Sequence, residues 1–237
     1  MQICKGIEII DNALWFNKKR TLIISDVHIG YEEALHNRGI MVPKSQLDII
    51  FSKLKLILKK VNPKEIIING DLKHEFGKVL RQEWKEVLSF LDFLSDKCKK
   101  IIIVQGNHDP IIKTITDKRE IKIVKEIIIG DTLIVHGDMI RDNIVDIKAK
   151  RIIIGHEHPA ITIREGSKGE KYKCFLKGKW KGKELISMPS FNPLLEGTDI
   201  LKEELLSPFL KDVSNFKVYV VNNMEIFDFG KVKDLKH

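Results

Sequence analysis

Five short apolar runs punctuate the chain, at residues 22–25, 65–69, 101–105, 132–135 and 152–154, each rich in Ile, Val or Leu and bounded by Gly, Asp or Asn. Runs this short and this rich in β-branched residues predict buried strands. Between the first two, Leu47, Ile50, Phe51, Leu54, Ile57 and Leu58 form one apolar stripe at helical spacing. Ser45 is placed to cap this helix with Asp48 three residues on, and Pro43 and Pro63 bracket it. Between the next two runs, Leu80, Trp84, Val87, Leu88, Leu91 and Leu94 repeat the period and predict a second crossover helix. Ile7 to Phe16 and residues 121–135 predict short antiparallel strands, and residues 160–188 two or three more. Strand and helix in alternation predict a layered α/β fold. With no repeat, low-complexity tract or linker, residues 1–237 suit a single domain.

Each of the five runs leads straight into side chains that bind metals. They are Asp26-Val27-His28, Gly70-Asp71, Gly106-Asn107-His108-Asp109, His136-Gly137-Asp138 and Gly155-His156-Glu157-His158. In layered α/β proteins ligands gather beyond the carboxyl ends of the strands, so groups far apart in sequence can converge on one crevice. A lone Asp or His at a strand end is more often a cap or a surface group. Here, however, five of the eight histidines fall in ordered motifs at these ends. Gly70, Gly106 and Gly155 each precede a ligand type, where a sharp exit from the strand would be opposed by a Cβ. Carboxylate, imidazole and amide oxygen without thiolate suit Mn, Fe, Zn or Ni. Asp71 is the candidate bridge between two ions about 3.5–4 Å apart. Asp138 is a candidate orienting group for His136 rather than a ligand, and His36 and His237 are expected at the surface.

Composition narrows the class without naming it. Hydrophobic residues at 43% and charged residues at 31% are globular proportions, and no apolar run approaches the ~20 residues that span a bilayer. No signal-peptide pattern opens the chain, so a cytoplasmic location is expected. Cys4, Cys98 and Cys174 form no C-x-x-C pair and are expected to be buried, reduced thiols. The net charge of +8 favours polyanionic partners, but a chain crowded with Lys, Glu and Ile also shows the bias reported for hyperthermophiles.

The ordered pattern D-x-H, G-D, G-N-H-[DE], H and G-H-x-H, complete over residues 26–158, resembles the calcineurin-like metallophosphoesterase superfamily. That resemblance implies a four-layer αββα sandwich and two divalent metal ions, manganese foremost. It implies that Asp26, His28, Asp71 and His158 hold one ion, and that Asp71, Asn107, His136 and His156 hold the other. His108 would be an unliganded group acting on the leaving oxygen, with Asp109 orienting its imidazole. Ala13-Leu14-Trp15, the stretch Asp26 to Glu32 with Gly39 and Pro43, and Gly70 to Glu75 are similar to archaeal SbcD-related phosphoesterases and to the bacterial enzymes encoded beside DNA ligase and a helicase. This second likeness implies a DNA nuclease with DNA-repair helicase or ligase partners. No long capping domain is visible, so processive double-strand resection is not expected.

Arg164 to Glu184 carries eight basic and three acidic residues, with Tyr172, Phe175 and Trp180 interleaved. Lys177, Lys179 and Trp180 are therefore candidate contacts for nucleic acid, the alternative being a solvated hairpin. His74, three residues after Asp71, is a candidate substrate contact or a support for a ligand. The leading expectation is a metal-dependent phosphodiesterase acting on nucleic acid. The rivals are a small-nucleotide phosphodiesterase or pyrophosphatase, and a non-catalytic scaffold.

Overall fold

The computed structural model describes residues 1–237 except 77–79, 117–118, 120, 167 and 236–237, so His237 lies outside the described residues. The predicted apolar runs become strands almost residue for residue. A first sheet runs in the order β1 (Gln2–Cys4), β2 (Ile7–Ile10), β3 (Ala13–Phe16), β4 (Thr21–Ser25), β5 (Glu65–Asn69), β6 (Ile101–Val104) and β7 (Lys122–Val124). Strands β1 to β4 pair antiparallel and β4 to β7 parallel. Residues 122–124 thus join the first sheet beside β6, rather than pairing antiparallel with the strand that follows them, as the sequence had suggested.

The second sheet holds β8 (Glu126–Ile129), β9 (Thr132–Val135), β10 (Arg151–Ile154), β11 (Pro159–Glu165), β12 (Lys168–Trp180), β13 (Lys183–Ser187) and β14 (Thr198–Asp199). Its order is β14-β11-β12-β13-β10-β9-β8, and the hairpin of β15 (Lys217–Asn222) and β16 (Glu225–Lys231) adds to β12.

Alternation along these strands builds the layers. In β5, Ile66 and Ile68 face the helices while Ile67 faces the second sheet; Ile101 and Ile103 divide from Ile102 and Val104 in the same way. Burial on both faces is what a parallel central strand requires, and it explains runs with no polar interruption. The helical layer is α2 (Gln46–Lys60), α3 (Arg81–Lys97) and the short α4 (Ile112–Thr116). Ile50, Leu54 and Ile57 of α2 and Val87, Phe90, Leu91 and Leu94 of α3 close over the first sheet.

Between the sheets lie Ile23, Ile67, Ile102, Ile134, Ile153, Phe175, Ile186 and Tyr219. The outer face of the second sheet is covered by Ile144, Phe209, Leu210, Val213, Phe216 and Val232, carried on turns and a 3₁₀ helix (Val232–Leu235). This is the layered sandwich that the resemblance implied. Among the described residues no helix is long and apolar enough to cross a membrane.

One helix start differs from its sequence signal. Ser45 occupies the N-cap of α2 but makes no side-chain cap bond. Instead the Glu32 carboxylate, from α1 (Tyr31–Asn37), accepts the N–H groups of Ser45 and Gln46 at 2.8 Å each. The Gln46 amide returns the contact, accepting from Glu32 N at 3.2 Å and donating to His28 O at 2.9 Å. A full negative charge on the first free N–H groups of a helix does the work of a hydroxyl cap and adds a favourable dipole term. Glu32→Ala is therefore expected to cost about 0.5–2 kcal/mol in urea unfolding of the metal-free protein, whereas Ser45→Ala should stay within about 0.5 kcal/mol. A Ser45→Ala loss equal to that of Glu32→Ala would restore the hydroxyl cap.

Candidate metal centre

The five ligand motifs meet at one end of the seam between the sheets. The first sheet delivers Asp26 and His28 after β4, Asp71 after β5 and Asn107 after β6; the second delivers His136 after β9, and His156 and His158 after β10. Three triads result, His28 with His74 and His108, and two that hold a carboxylate, Asp26 with His28 and His158, and Asp71 with His136 and His156, each with ligand atoms mutually within 4.8 Å. Asp71 sits between the latter two. Its Oδ2 lies 3.6 Å from His28 Nε2 and 3.4 Å from His136 Nε2. Asp26 Oδ1 lies 3.5 Å from His158 Nε2 and 3.7 Å from His136 Nδ1. Asn107 Oδ1 is 2.9 Å from His136 Nε2.

Distances of 3.4 to 3.7 Å are too long for good hydrogen bonds. They approach the about 3.0–3.4 Å between two donors that share one ion at about 2.1 Å. Accordingly His28 Nε2, His136 Nδ1 and His158 Nε2 are buried without a hydrogen-bond partner. The charge balance points the same way. Asp26 and Asp71 are 0% and 2% exposed, and among the described residues only imidazoles pair with them.

Burial would raise both acids, but His158 holds Asp26 below its ordinary value and His136 does the same to Asp71. Burial likewise opposes charge on His136, yet Asp71 and Asp26 together lift it to about 9. A buried pair of carboxylates set among imidazoles, one of them lifted well above its ordinary range, has the donor set and the charge deficit that divalent cations fill.

The backbone is bent to reach this arrangement. Five of the ten non-glycine residues with positive φ among the described residues are candidate ligands: Asp26 (53°), His28 (44°), Asp71 (45°), His156 (65°) and His158 (52°). Left-handed backbone costs about 1–2 kcal/mol per residue, and such strain concentrates at functional sites. Of the three glycines singled out in the sequence only Gly70 has positive φ, at 82°, and a Cβ there would stand 2.0 Å from His136 Nδ1. At Gly155 the constraint is space alone, because a Cβ would meet Ser25 Oγ at 2.1 Å and Asp26 Oδ2 at 2.5 Å.

His108 belongs to neither Asp triad. Its N–H donates to Asp71 Oδ1 at 2.9 Å, its Nδ1 is held by the His74 carbonyl, and its ring lies 4.8 Å from that of His28. The orienting role expected for Asp109 is not found. That carboxylate is fully buried and accepts the N–H groups of Leu72, Lys73 and Gly106 at 3.1 to 3.3 Å, bolting the loop after β5 to the loop after β6. Burial, with Asp71 nearby, pushes it up to about 7. His74 stands where a supporting residue would, with Nδ1 3.4 Å from His28 Nδ1. Its loop is clamped by Glu83 of α3, whose Oε1 accepts His74 N and Glu75 N at 2.9 and 2.8 Å. Asp138 makes no hydrogen bond to His136 among those described and acts on it only through space. His36, expected at the surface, is half-buried with Nε2 2.7 Å from Val42 O.

The Lys-rich segment is corrected by register. Strand β12 runs antiparallel to β13, with Leu176 opposite Ser187 and Trp180 opposite Lys183, while β13 is parallel to β10. Residues 177–183 therefore lie beside Arg151, at the end of the sheet remote from the ligands that follow Ile154. Lys177 donates to Ile3 O at 2.7 Å and pairs with Glu184 at 2.9 Å, and the Trp180 ring packs 4.8 Å from Phe209. Only Lys179 of the three candidates is exposed.

The same strand supplies a group that sequence reasoning missed. Lys173 turns inward to the carbonyls of Ser190 and Asn192, and burial pushes its amine down to about 7. Ser190 Oγ donates to Asp26 O at 2.7 Å, and Asn192 Nδ2 donates to Val27 O and His28 O at 3.0 Å each. The available signal was the polar Ser190-Phe191-Asn192 after the apolar strand Leu185 to Ser187, the same strand-then-polar pattern seen at the ligands.

Comparison with known proteins supplies the family. No curated protein matches the chain. Among solved structures it is similar to nuclease MPE of Pseudomonas putida, at 17% identity over 94% of each chain with a TM-score of 0.68. Weaker overlaps are the phosphoesterase Yfce of E. coli (15% identity, 87% of this chain and 96% of that one, TM-score 0.40) and vacuolar protein sorting 29 of Cryptosporidium parvum (14%, 89% and 97%, 0.38). Because the sequence profile of the calcineurin-like phosphoesterases matches residues 19–220 and so takes in every ligand described above, the chain belongs to the calcineurin-like phosphoesterase family.

Proposed function

We propose that this protein is a two-metal-ion phosphodiesterase that cuts nucleic acid strands, with DNA as the substrate to test first. The observation that carries the chemistry is the position of Asp71 Oδ2, within 3.6 Å of a histidine from each triad. Asp26, His28, His158 and Asp71 would hold one ion, and Asp71, His136, His156 and Asn107 the other. The absence of thiolate among these donors suits Mn, Fe, Zn or Ni, with manganese the first to try. Bound there, the two ions would act as Lewis acids on the phosphoryl group and lower the pKa of water to generate a nucleophile at neutral pH.

The chain's own groups supply the rest. With Nδ1 fixed against the His74 carbonyl, His108 presents Nε2 to the leaving oxygen, and the ring donates a proton there when it carries two. Glu83 keeps that carbonyl in place through the N–H groups of His74 and Glu75. The choice of nucleic acid draws support from the likeness in fold to a nuclease over nearly the whole chain. A DNA-repair setting with helicase or ligase partners extends the same reading. The decisive assay restores Mn, Ni, Zn or Fe separately to metal-stripped protein and compares single-stranded DNA, duplex DNA, RNA, a phosphodiester dye and a phosphomonoester dye. A protein active only on the monoester would overturn the proposal.

Asp71→Asn is expected to abolish turnover and to lose metal from both sites, since an amide replaces the one carboxylate placed to bridge. Two ions retained in elemental analysis with normal turnover would remove Asp71 from the bridge. His108→Ala should keep its metal content while losing ~10²–10⁴ in rate on DNA. The loss should shrink on an aryl diester, whose leaving group needs no proton. Equal losses on both substrates would count against proton donation. Changing Lys179 and Lys181 to Gln should leave the salt dependence of DNA binding unaltered, whereas two true phosphate contacts on a single strand would flatten the slope of log affinity against log salt by about 1.4.

A further inference from the structure

Beside His108 stands an aromatic side chain that packing does not account for. Phe76 follows the His74 loop and is 52% exposed, yet its ring centroid lies only 3.8 Å from that of His108. About half of the side chain is therefore open to solvent while the ring leans, tilted by 43°, against the imidazole. The same wall continues through His74, stacked 5.4 Å from His108, to Tyr31, whose ring is 4.8 Å from His74. A half-exposed aromatic ring and a line of rings beside the group assigned to the leaving oxygen are the parts of a nucleotide subsite. The ring offers stacking to any base.

We infer that Phe76 is the stacking platform for the nucleobase on the leaving-group side of the scissile phosphate. The inference rests on the nucleic-acid reading above and deepens it. Phe76 stands against His108, beside the position assigned to the leaving oxygen. Glu83, which fixes the N–H groups of His74 and Glu75, also fixes the backbone from which Phe76 projects. The subsite and the catalytic histidine are thus held by one clamp. A base seated on Phe76 brings its leaving oxygen to His108 with little further ordering.

The test compares a single-stranded deoxythymidine oligonucleotide with an abasic oligonucleotide of equal length, on the manganese-loaded wild type, Phe76→Leu and Phe76→Trp. Cleavage is read as kcat/KM, and binding to metal-stripped protein is read by fluorescence anisotropy. Wild type should prefer the thymine strand by about 5- to 150-fold in both measurements, the range that stacking of one base supplies. Phe76→Leu should collapse that preference and Phe76→Trp should keep it. With single abasic positions placed on either side of the cleaved bond, only one of the two should abolish the difference between wild type and Phe76→Leu. If Phe76→Leu slows the thymine and abasic strands equally, the ring merely screens His108 and the subsite is refuted. If wild type cuts DNA and Phe76→Leu matches it on both strands, the subsite falls while the nuclease reading stands. If wild type neither binds nor cuts either strand but hydrolyses a phosphomonoester dye, both readings fall together.

Discussion

Two carboxylates, Asp26 and Asp71, lie almost wholly out of water at the junction of two sheets, and among the described residues neither forms an ion pair with a lysine or arginine. Burying a charge is tolerable only when it is paired, and imidazoles are poor partners because each must take a proton to serve. The arrangement makes sense once divalent cations supply the balance. Ligand residues in left-handed backbone, ring nitrogens with nothing to bond and glycines whose Cβ would strike a ligand are all costs on the same side. Metal binding free energy is then also folding free energy at this seam.

That coupling has a direction. The two carboxylate triads are not contained in one sheet, since Asp26, His28 and Asp71 come from the first and His136, His156 and His158 from the second. Their relative placement depends on the apolar layer between the sheets and on a few polar ties across it. His156 N donates to Asp26, and Phe191 N to Ser25 O at 2.8 Å. A one-residue slip in the pairing of any of these strands would turn its side chains to the opposite face. It would therefore break the core and the metal centre at once. The uninterrupted Ile and Val of β4, β5, β6, β9 and β10 are in this sense part of the site.

What could be read from the sequence was what is local in the chain. The strand-then-ligand pattern needs only a short apolar run and the residues after it, so five strands and the seven candidate ligand positions were visible without a structure. Interactions between distant segments were not. Nothing near Ser45 says that Glu32 will cap its helix, because the two meet only after α1 folds back on α2. Asp109 sits beside His108 in sequence but points into the backbone of the preceding loop, and adjacency suggested a contact that side-chain direction forbids. The Lys-rich segment followed closely on His158, yet an antiparallel register carried residues 177–183 to the far end of the sheet. Closeness along a chain says little about closeness in space once a strand reverses direction.

The lysines show why net charge was a poor guide to the substrate. Several are structural donors rather than a field for a polyanion. Lys73 is fully buried and reaches the Glu75 carbonyl, Lys177 reaches Ile3, and Lys183 reaches Ile147 and Ala149. An ammonium with three N–H groups can close several turn carbonyls that no backbone partner reaches, and its long stem covers apolar surface on the way. Lys173 carries this furthest, because the carbonyls it satisfies belong to the residues whose side chains hold the backbone of Asp26, Val27 and His28. The charge that looked like an invitation to nucleic acid works partly inside the fold, steadying the turn that carries the first two ligands. The case for a nucleic-acid substrate therefore belongs at the mouth of the metal centre, where Phe76 and His108 come together, and not with the basic strand behind it.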